Sequence, residues 1–328
     1  MSGAIRLDSP LPLFVVIVNY RTSSLTIDCL RSLVDEVQSL PGTRVVVVDN
    51  ASGDDSVEKI GFAIDTEGWR DWALLLPSDH NGGYAFGNNF AIRPALQSPN
   101  PPPYFLLLNP DTLVRSGALK ALVDFMDRHP DVGIAGSSFE EADGKPWPIA
   151  FRFPTVLSEL NDGLRLGVVS QLLSKWVVVR QMTDEQCQVD WLPGASMIIR
   201  REVFESVGLM DEEYFLYYEE TDFCLQAKRA GWSCWYVPQS RVMHIAGQST
   251  GVTKRTGPPK RLPKYWFDSR RRFFVKNHGL PYAALADAAW LFSFILWRWR
   301  RVIQRKLDPD PPALLWDFFR NSVFLKGG

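Results

Sequence analysis

One carboxylate stands at the end of an apolar run in the first half of the chain. Residues 104–112 read YFLLLNPDT, and the apolar residues 105–108 are typical of a short strand buried on both faces. Pro110 cannot continue a hydrogen-bonded ladder, so the strand ends there and Asp111 follows at its carboxyl end. Ligands of open α/β sheets bind at that edge, and a carboxylate oxygen suits Mg²⁺ or Mn²⁺ that carries a diphosphate. A strand followed by an ordinary Asx turn is the alternative interpretation.

Three acids lie within four positions of a second stretch, YYEETDF. Glu219, Glu220 and Asp222 stand at the predicted start of a helix, where acids often only complement the helix dipole. The aromatic residues at 214–218 argue against a fully solvated face, and burial would raise the pKa of a carboxyl and suit it to general base catalysis. His244 ends a further apolar run, and a lone histidine is more often a structural residue of the core or the surface than a ligand. Together these residues supply a metal carboxylate, a second ligand and a base.

The elements that would position these residues begin with a parallel pair of strands. Residues 13–18 (LFVVIV) and 44–48 (RVVVV) are strand-like, and apolar residues between them recur with a helical period. Strand, helix and strand within about forty residues form a βαβ unit with a parallel sheet. Asp49 follows the second strand, where it would contact a nucleobase or ribose or serve only as a turn residue.

A glycine-rich segment, NGGYAFGNN at 81–89, precedes a predicted helix at 90–96. Its glycines allow the backbone to approach a phosphate or a neighbouring element closely. The GGxxxG spacing differs from the dinucleotide-binding fingerprint. The other predicted elements are strands at 72–76, 132–136, 234–238 and 242–244, strand and loop over 189–194 and 195–200, and helices at 25–37, from 56, at 116–129, 201–207 and 223–231.

The composition is that of a globular protein, with 46% hydrophobic and 22% charged residues. A chain of 328 residues fits one large domain, or one domain with an appended piece. Its four cysteines have no CxxC or metal-ligand spacing, which predicts free thiols in a reducing compartment. The apolar run at 11–18 is interrupted by Pro12, so we expect no signal peptide.

The charge is divided unevenly along the chain. Residues 251–306 contain 14 Lys or Arg and two Asp or Glu, a net of +12, whereas the remainder has 22 basic and 35 acidic residues, a net of −13. Residues 282–297 are almost wholly apolar, interrupted by Asp287 and followed by the basic and aromatic residues 298–301. This run is short for a transmembrane helix, which needs about 20 residues, and an interfacial helix next to anionic headgroups fits it better. A helix packed on the catalytic domain is the alternative, and nucleic-acid binding is disfavoured by the acidic remainder.

The sequence resembles the inverting family 2 glycosyltransferases with a GT-A fold, in their rhamnosyltransferase-like bacterial branch. The similarity covers roughly residues 13–251 in family order and spacing. The matching segments are VVIVNYRT, VVVVDNAS, NGGYAFGNN, LLLNPDT, WLPGASMIIRR, GLMDEEYFLYYEETDFCLQAKRAGW and HIAGQSTG. The expected fold is an α/β, Rossmann-like, mostly parallel sheet flanked by helices, with a C-terminal basic and aromatic helical extension. The expected domains are a transferase domain at 1–251 and the extension at 252–328, a predicted membrane-surface anchor.

The resemblance also implies roles for individual residues. The residues implied to bind the donor nucleotide sugar are Asn19, Tyr20, Arg21, Asp49, Asn81, Gly82, Gly83, Asn88 and Asn109. The residues implied to border the acceptor include Trp191 and Gly194. Asp111 stands in the family's DXD metal motif, and His244 would complete the metal and diphosphate site, with Ser249 in the family's H-x4-S pattern. Glu220 corresponds to the second acid of the family's Glu-Asp-x-Asp motif, which is the base.

Two departures from the family pattern bear on these roles. Asn109 replaces the first Asp of the DXD motif, so metal binding rests on fewer charges. Glu220 replaces the usual Asp and is one methylene longer, so Glu219 and Asp222 remain alternatives for the base.

The resemblance implies a metal-dependent, inverting transfer of a sugar to a hydroxyl of a glycan or lipid-linked glycan acceptor in cell-surface polysaccharide synthesis. The expected cofactor is Mg²⁺ or Mn²⁺, and the favoured donor is dTDP-rhamnose. In a single in-line displacement, Glu220 would take the acceptor proton while the metal neutralises the leaving diphosphate. The expected location is cytoplasmic, peripheral on the inner face of the cell membrane. The alternatives are a sugar nucleotidyltransferase and a catalytically disabled nucleotide-binding module at the membrane; the oligomeric state stays open.

Overall fold

The computed structural model describes residues 11–141, 144–147, 150–180, 183–245 and 259–328. Within them, ten strands form one mixed sheet, and two short strands, β8 and β9, pair separately. The strands in chain order are β1 (Phe14–Asn19), β2 (Arg44–Asp49), β3 (Ala73–Pro77), β4 (Tyr104–Leu108), β5 (Thr112–Val114), β6 (Val132–Glu140), β7 (Pro146–Trp147), β8 (Ala150–Phe151), β9 (Val179–Arg180), β10 (Cys187–Val189), β11 (Ser196–Arg200) and β12 (Ser233–His244).

The helices of the described residues lie on both faces of this sheet and in the C-terminal region. They are α1 (Ser23–Ser32), α2 (Val34–Ser39), α3 (Ser56–Thr66), α4 (Gly83–Leu96), α5 (Ala118–Arg128), α6 (Val156–Leu164), α7 (Gly167–Leu172), α8 (Arg201–Val207), α9 (Glu219–Arg229), α10 (Lys264–His278), α11 (Leu280–Ile303), α12 (Leu314–Asn321) and α13 (Val323–Lys326).

The strand order is β10-β12-β6-β11-β4-β1-β2-β3, with β5 paired to β12 and β7 to β6. Strands β3, β2, β1 and β4 run parallel, and β11 is antiparallel to both β4 and β6. The predicted βαβ unit is confirmed, because β1 and β2 pair in parallel from Phe14 opposite Arg44 to Asn19 opposite Asp49. The carboxyl ends of β1, β2 and β4 therefore meet at one edge of the sheet.

The central strands are buried on both faces, as their continuous apolar runs predict. In β1, Val15 and Ile17 face one core cluster and Val16 and Val18 face the other. Every residue of β4 is buried. Each large aliphatic side chain buried in this way contributes roughly 1.5–3 kcal/mol, so the sheet is a stable platform for the loops at its edge.

Four predicted elements differ from the structure. In the segment predicted as strand and loop at 189–200, β10 ends at Val189 and β11 spans Ser196–Arg200, so the loop consists of the residues between them. Helix α4 begins at Gly83 rather than at residue 90, because the Asn81 side chain accepts the Gly83 N–H and starts the helix inside the glycine segment. The strands predicted at 234–238 and 242–244 are one strand, β12, whose irregular register against β6 lies between Val237 and Arg241, around Pro238. The helix predicted across 25–37 is divided into α1 and α2. The predicted free thiols are confirmed for all four cysteines.

Helices α10 to α13 pack with α6 around two aromatic clusters. One contains Tyr214, Phe273 and Phe274, and the other contains Trp290 and Phe318, whose rings stack with centroids 3.9 Å apart. The division into domains at 1–251 and 252–328 stays a prediction, and residues 252–258 lie outside the described residues.

Helix α11 is longer than the apolar run that predicted it. It spans 24 residues and, by length and composition, could cross a membrane, a property that core helices of soluble proteins share. Asp287, which interrupts the run, is buried and pairs with Arg270, which also binds Glu159. The extension's positive charge is therefore partly used inside the molecule. On its outer face α11 exposes Leu285, Phe292, Ile295, Leu296, Trp299, Val302 and Ile303.

Candidate active site

A cavity of about 610 Å³ lies at the carboxyl edge of the parallel strands. It is bordered by the loops after β1, β2 and β4, by the start of α4, by the segment before α9 and by the end of β12. The lining residues are Val18, Tyr20, Asn50, Asn81, Gly83, Tyr84, Asn109, Pro110, Asp111, Trp147, Phe151, Trp191, Pro193, Gly194, Ala195, Phe215, Leu216, Tyr217, Glu219, Glu220, His244 and Tyr265.

The loops after β1 and β2 are joined by buried hydrogen bonds. The Asn19 side-chain amide donates to Asp49 Oδ2 at 2.7 Å, and the Ser52 hydroxyl donates to the same oxygen at 2.6 Å. The Arg21 N–H and guanidinium bind Ser52 in turn. Asn19 and Asp49 are at most 2% exposed and do not line the cavity, so these two predicted donor-binding residues hold the loops that present Tyr20 and Asn50.

The glycine segment contacts the loop before α9 at a point where no side chain fits. The Tyr84 N–H donates to the Phe215 carbonyl at 2.9 Å. Gly83 has φ of +90°, and a Cβ there would lie 1.9 Å from the Phe215 oxygen. Gly82 and Asn88 do not line the cavity; the Asn88 amide donates to the Tyr84 carbonyl. Glycine at 83 is therefore required for the two loops to meet.

The β5–β12 pairing brings the predicted metal ligands together. His244 lies opposite Thr112 in the ladder, which places His244 Nε2 3.3 Å from Asp111 Oδ1. His244 Nδ1 is buried and has no hydrogen-bond partner among the described residues. Asn109 lines the cavity beside them, and its N–H donates to the Ala195 carbonyl.

The Asp111–His244 pair fits a divalent ion as part of its ligand set. Two ligands at right angles and about 2.1 Å from one ion lie about 3 Å apart, which is close to the observed spacing. Within the described ranges, no third His, Cys, Asp or Glu joins the pair in a metal-binding group. The remaining ligands would have to be diphosphate and water oxygens, which is the usual arrangement for Mg²⁺. Ser249 lies outside the described residues.

Two acids of the YYEETD stretch face the cavity from the first turn of α9. The preceding residues Tyr217 and Tyr218 both have left-handed backbones, with φ of 71° and 68°. Such a conformation costs roughly 1–2 kcal/mol per residue, and here it aims the start of the helix at the cavity. The Oε2 atoms of Glu219 and Glu220 are buried and have no hydrogen-bond partner in the described part of the chain.

Burial controls the protonation of this pair. Burial raises the pKa of the Glu219 carboxyl well above its ordinary value, and the adjacent Glu220 raises it further. Burial also raises the pKa of Glu220, while the backbone N–H groups of Glu220 and Gly194 partly offset the increase. A carboxyl with a raised pKa near a reacting hydroxyl is suited to accept its proton.

Asp222 is directed away from the cavity. Its carboxylate binds Lys276 Nζ at 2.6 Å and the Asn277 side-chain amide at 2.6 Å, both on α10. It does not line the cavity, and an acid held by a cation and an amide is a structural anchor. This position does not support Asp222 as the alternative base, which leaves Glu219 and Glu220.

Trp191 and Gly194 border the cavity on the strand side. Trp191 stacks on Phe151 with centroids 4.3 Å apart and an angle of 17° between the rings. The Gly194 carbonyl accepts the Tyr84 hydroxyl at 2.7 Å, and a Cβ at Gly194 would lie 2.5 Å from that hydroxyl.

Sequence reasoning did not single out several residues of the cavity. Asn50 follows the predicted site residue Asp49, and Tyr84 lies within the glycine-rich segment, so both could have been predicted from the sequence. Phe151 lies in a region with no clear pattern, and Tyr265 comes from the extension, so neither had a signal in the sequence.

Residues 10–257 match the protein-family model described as glycosyltransferase like family 2, and the chain belongs to this family. The N-acetylglucosaminyl-diphospho-decaprenol L-rhamnosyltransferase of Mycobacterium tuberculosis is 31% identical over 191 residues, which cover 54% of this chain and 60% of that protein. The low-salt glycan biosynthesis hexosyltransferase Agl10 of Haloferax volcanii is 27% identical over 92% of this chain and 88% of its own length. The dTDP-rhamnosyl transferase RfbF of Shigella flexneri is 27% identical over 81% of each. The chain thus spans only 60% of the mycobacterial relative.

Solved structures share the fold. The mannosyltransferase PcManGT from Pyrobaculum calidifontis, in complex with GDP-Man and Mn²⁺, superposes with a TM-score of 0.55 at 16% identity, over 94% of this chain and 79% of that one. GalNAc-T7 with UDP, GalNAc and Mn²⁺ superposes with a TM-score of 0.57 at 15% identity, over 86% and 52%. The predicted GT-A fold, a mixed α/β sheet flanked by helices with a C-terminal helical region, is confirmed.

Proposed function

We propose that this family 2 chain is a glycosyltransferase that moves a sugar from a nucleotide sugar to a hydroxyl of a glycan or lipid-linked glycan acceptor. The observation that carries the proposal is the cavity that holds a candidate metal pair, Asp111 and His244, next to two buried acids, Glu219 and Glu220. The favoured donor is dTDP-rhamnose, in keeping with the similarity to the Mycobacterium L-rhamnosyltransferase and to the Shigella dTDP-rhamnosyl transferase.

The donor nucleotide would bind at the carboxyl ends of β1 and β2. Tyr20, Asn50 and Asn81 face the cavity there, and the Asn50 amide is already held by Asn81 Oδ1 at 3.0 Å and by the Gly83 carbonyl at 2.9 Å. Polar groups fixed in this way can orient a base and a ribose without further ordering. Asn19, Arg21 and Asp49 would contribute indirectly, because they hold the loops after β1 and β2 together.

The diphosphate would lie between the nucleotide and the two acids of α9, in contact with Asp111 and His244. Mg²⁺ or Mn²⁺ bound to these residues would neutralise negative charge on the departing diphosphate. Asn109 would contribute a neutral amide rather than a second carboxylate, so the protein's own charge toward the ion is lower than in a motif with two Asp residues.

Glu220 is the proposed base, with Glu219 as its neighbour. In a single displacement, the acceptor oxygen bonds to the anomeric carbon, the bond from that carbon to the diphosphate oxygen breaks, and Glu220 takes the acceptor proton. The stereochemistry is inverted, and a covalent sugar–enzyme intermediate is not required. Buried acids with unsatisfied oxygens at the cavity support this role, because the acceptor hydroxyl can fill the open hydrogen-bond position.

The extension would hold the enzyme at the inner face of the cell membrane, peripherally and on the cytoplasmic side. The exposed apolar face of α11, which includes Trp299 at 70% and Ile303 at 78% exposure, supports this proposal. A groove of about 730 Å³ between α11 and α12, lined by Leu291, Ile295, Trp316 and Phe319 among others, continues that face. Apolar side chains with basic neighbours such as Arg300 and Arg305 are typical of an interfacial helix.

Flotation of the full chain with anionic vesicles at low salt tests the membrane proposal. We expect the Trp299→Ser and Ile303→Ser double variant to lose most vesicle binding. Phe62→Ser is the matched control, since Phe62 is 71% exposed on α3, away from the extension. Equal flotation of both variants and wild type would contradict the proposal.

Hydrolysis of a nucleotide-sugar panel tests the activity. dTDP-rhamnose, UDP-hexoses and GDP-sugars are incubated with Mn²⁺ or Mg²⁺, and the released nucleoside diphosphate is measured for wild type, Asp111→Ala and Glu220→Gln. We expect one donor to be hydrolysed slowly, with loss in Asp111→Ala, and transfer to acceptor to be lost in Glu220→Gln. Glu213→Gln is the control, because that side chain is 76% exposed on the same segment.

Adding pyrophosphate to the panel and measuring nucleotide binding by calorimetry separates the alternatives. A sugar nucleotidyltransferase would form or cleave the nucleotide sugar with pyrophosphate and would have no use for the buried acids. A catalytically disabled binding module, which Asn109 keeps under consideration, would bind nucleotide by calorimetry without turnover. The absence of both nucleotide binding and turnover would refute the transferase proposal.

A further inference from the structure

Tyr265 reaches the cavity from outside the transferase part of the chain. It is the second residue of α10, the first helix of the extension, and it lines the cavity together with Phe215 and Tyr217. Its ring centroid lies 5.4 Å from that of Phe215 and 6.2 Å from that of Tyr217, which is stacked at an interplanar angle of 28°. The three rings form a continuous aromatic surface, here called the aromatic platform.

The platform is held in place by contacts one turn along α10. Ser269 lies four residues after Tyr265, on the same face of the helix, and its hydroxyl donates to the Leu216 carbonyl at 2.9 Å. Leu216 stands between the two rings of the platform that belong to the loop. Further along, Arg272 donates three hydrogen bonds of 2.8, 3.1 and 3.1 Å to the Asp211 carboxylate. The position of Tyr265 is therefore determined by the fold.

The platform lies on the acceptor side of the proposed reaction. Phe215 and Tyr217 directly precede Glu219 and Glu220, and a base must touch the acceptor hydroxyl whose proton it takes. The diphosphate belongs at the other group of residues, Asp111 and His244, because it carries negative charge and suits a metal ion. A flat aromatic surface has no favourable interaction with a negatively charged diphosphate, whereas it packs well on the C–H face of a pyranose ring.

We propose that Tyr265, with Phe215 and Tyr217, binds the terminal sugar ring of the acceptor, so that the extension takes part in acceptor selection. This inference rests on the proposed function. It adds that the aromatic platform recognises a neutral pyranose ring rather than a lipid diphosphate without a sugar. The Phe151–Trp191 stack lines the same cavity and supplies a second aromatic surface for a glycan.

Calorimetry with two probes tests the inference in the presence of saturating nucleoside diphosphate. One probe is an N-acetylglucosaminyl diphosphate on a short isoprenoid chain, and the other is the same isoprenoid diphosphate without the sugar. We expect Tyr265→Ala to weaken binding of the sugar-bearing probe about tenfold and to leave the sugar-free probe unchanged. Tyr265→Phe should bind both probes like wild type, because it keeps the ring.

Two controls separate this role from a structural one. Phe292→Ala removes an exposed ring of the same extension that does not line the cavity, and it should change neither affinity. Phe292→Ala should also hydrolyse the donor identified in the panel within about twofold of the wild-type rate. If the proposed function is wrong, the wild-type protein will not hydrolyse the donor. This result is measured separately from the probe affinities, so the two failures can be distinguished.

Three results would overturn the inference. They are equal affinity of Tyr265→Ala and wild type for the sugar-bearing probe, an equal loss for both probes, and no binding of the sugar-bearing probe by wild type. The last result, with donor hydrolysis intact, would reject this acceptor class while leaving the transferase proposal standing.

Discussion

The Asp222 carboxylate and the Lys276 ammonium lie 2.6 Å apart, and this ion pair joins the helix that carries the two cavity acids to the first helix of the extension. Lys276 also binds Asp211 at 2.7 Å, so a single cation binds acids on both sides of the segment that contains Phe215 and Tyr217. Lys276 is therefore one of several side chains of the extension, with Ser269, Arg272 and Asn277, that bind the segment next to the site.

Lys276→Met is expected to destabilise the protein. The change leaves Asp222, whose side chain is 3% exposed, without its cation, although Asn277 still donates to it. Because Lys276 itself is 34% exposed, we expect a loss of about 2 kcal/mol in the free energy of unfolding rather than the larger cost of a fully buried pair. Urea denaturation measures this loss, with Lys306→Met, at an exposed lysine just after α11, as the control. An unchanged urea midpoint would show that the pair contributes nothing.

Gly83→Ala is expected to separate the glycine segment from the loop before α9. A Cβ would meet the Phe215 carbonyl at 1.9 Å, and the backbone φ of +90° is unfavourable for alanine. We expect a loss of roughly 2–4 kcal/mol in stability, together with loss of donor hydrolysis, since both loops line the cavity. Gly167→Ala is the matched control, because a Cβ there would have no atom within 4 Å. Similar thermal midpoints for the two variants would refute this account.

Glu219→Gln is expected to stabilise the protein at neutral and higher pH. Burial and the neighbouring Glu220 raise the pKa of Glu219 well above its ordinary value, so the native state keeps this proton to a higher pH than the unfolded chain does. Native stability therefore falls as pH rises from the unfolded carboxyl range through the raised pKa, because the native state must then hold a buried charge.

Glutamine removes that cost. At about pH 8 we expect Glu219→Gln to gain about 1 kcal/mol in the free energy of unfolding, and below about pH 4, where both states are protonated, we expect the gain to disappear. Denaturation at several pH values measures the difference, with the exposed Glu213→Gln as the control. A gain that does not depend on pH would indicate a packing effect instead.

Asn109→Asp is expected to strengthen metal binding. Asn109 lines the cavity beside Asp111, and a second carboxylate would add negative charge toward the ion. We expect the Mn²⁺ concentration for half-maximal donor hydrolysis to fall about tenfold, and Mn²⁺ binding measured directly by calorimetry to tighten in parallel. Asp79→Asn, at an exposed acid outside the cavity, should change neither quantity. Unchanged Mn²⁺ affinity in Asn109→Asp would mean that position 109 does not face the ion.

The strands and the edge where the site lies could be predicted because they depend on local patterns. A continuous apolar run such as β4 specifies a strand buried on both faces, and Pro110 ends it, so the place of Asp111 follows from neighbouring residues alone. The start of α9 near Glu219 could also be predicted, since acidic and aromatic residues cluster there. Boundaries were less accurate where a side chain decides them, as the Asn81 contact with Gly83 does for α4.

The sequence by itself determined the fold class, the family and the acids that belong near the reaction, because these are recorded in runs and motifs of adjacent residues. Only the tertiary structure decided which acids reach the cavity, since the Asp222 carboxylate binds Lys276 of α10, 54 residues further along the chain. The contact of His244 with Asp111 exists because β5 and β12 pair, and Tyr265 meets Phe215 because α10 packs on that loop. Such long-range contacts depend on how complete surfaces fit together, and no local pattern of residues encodes them.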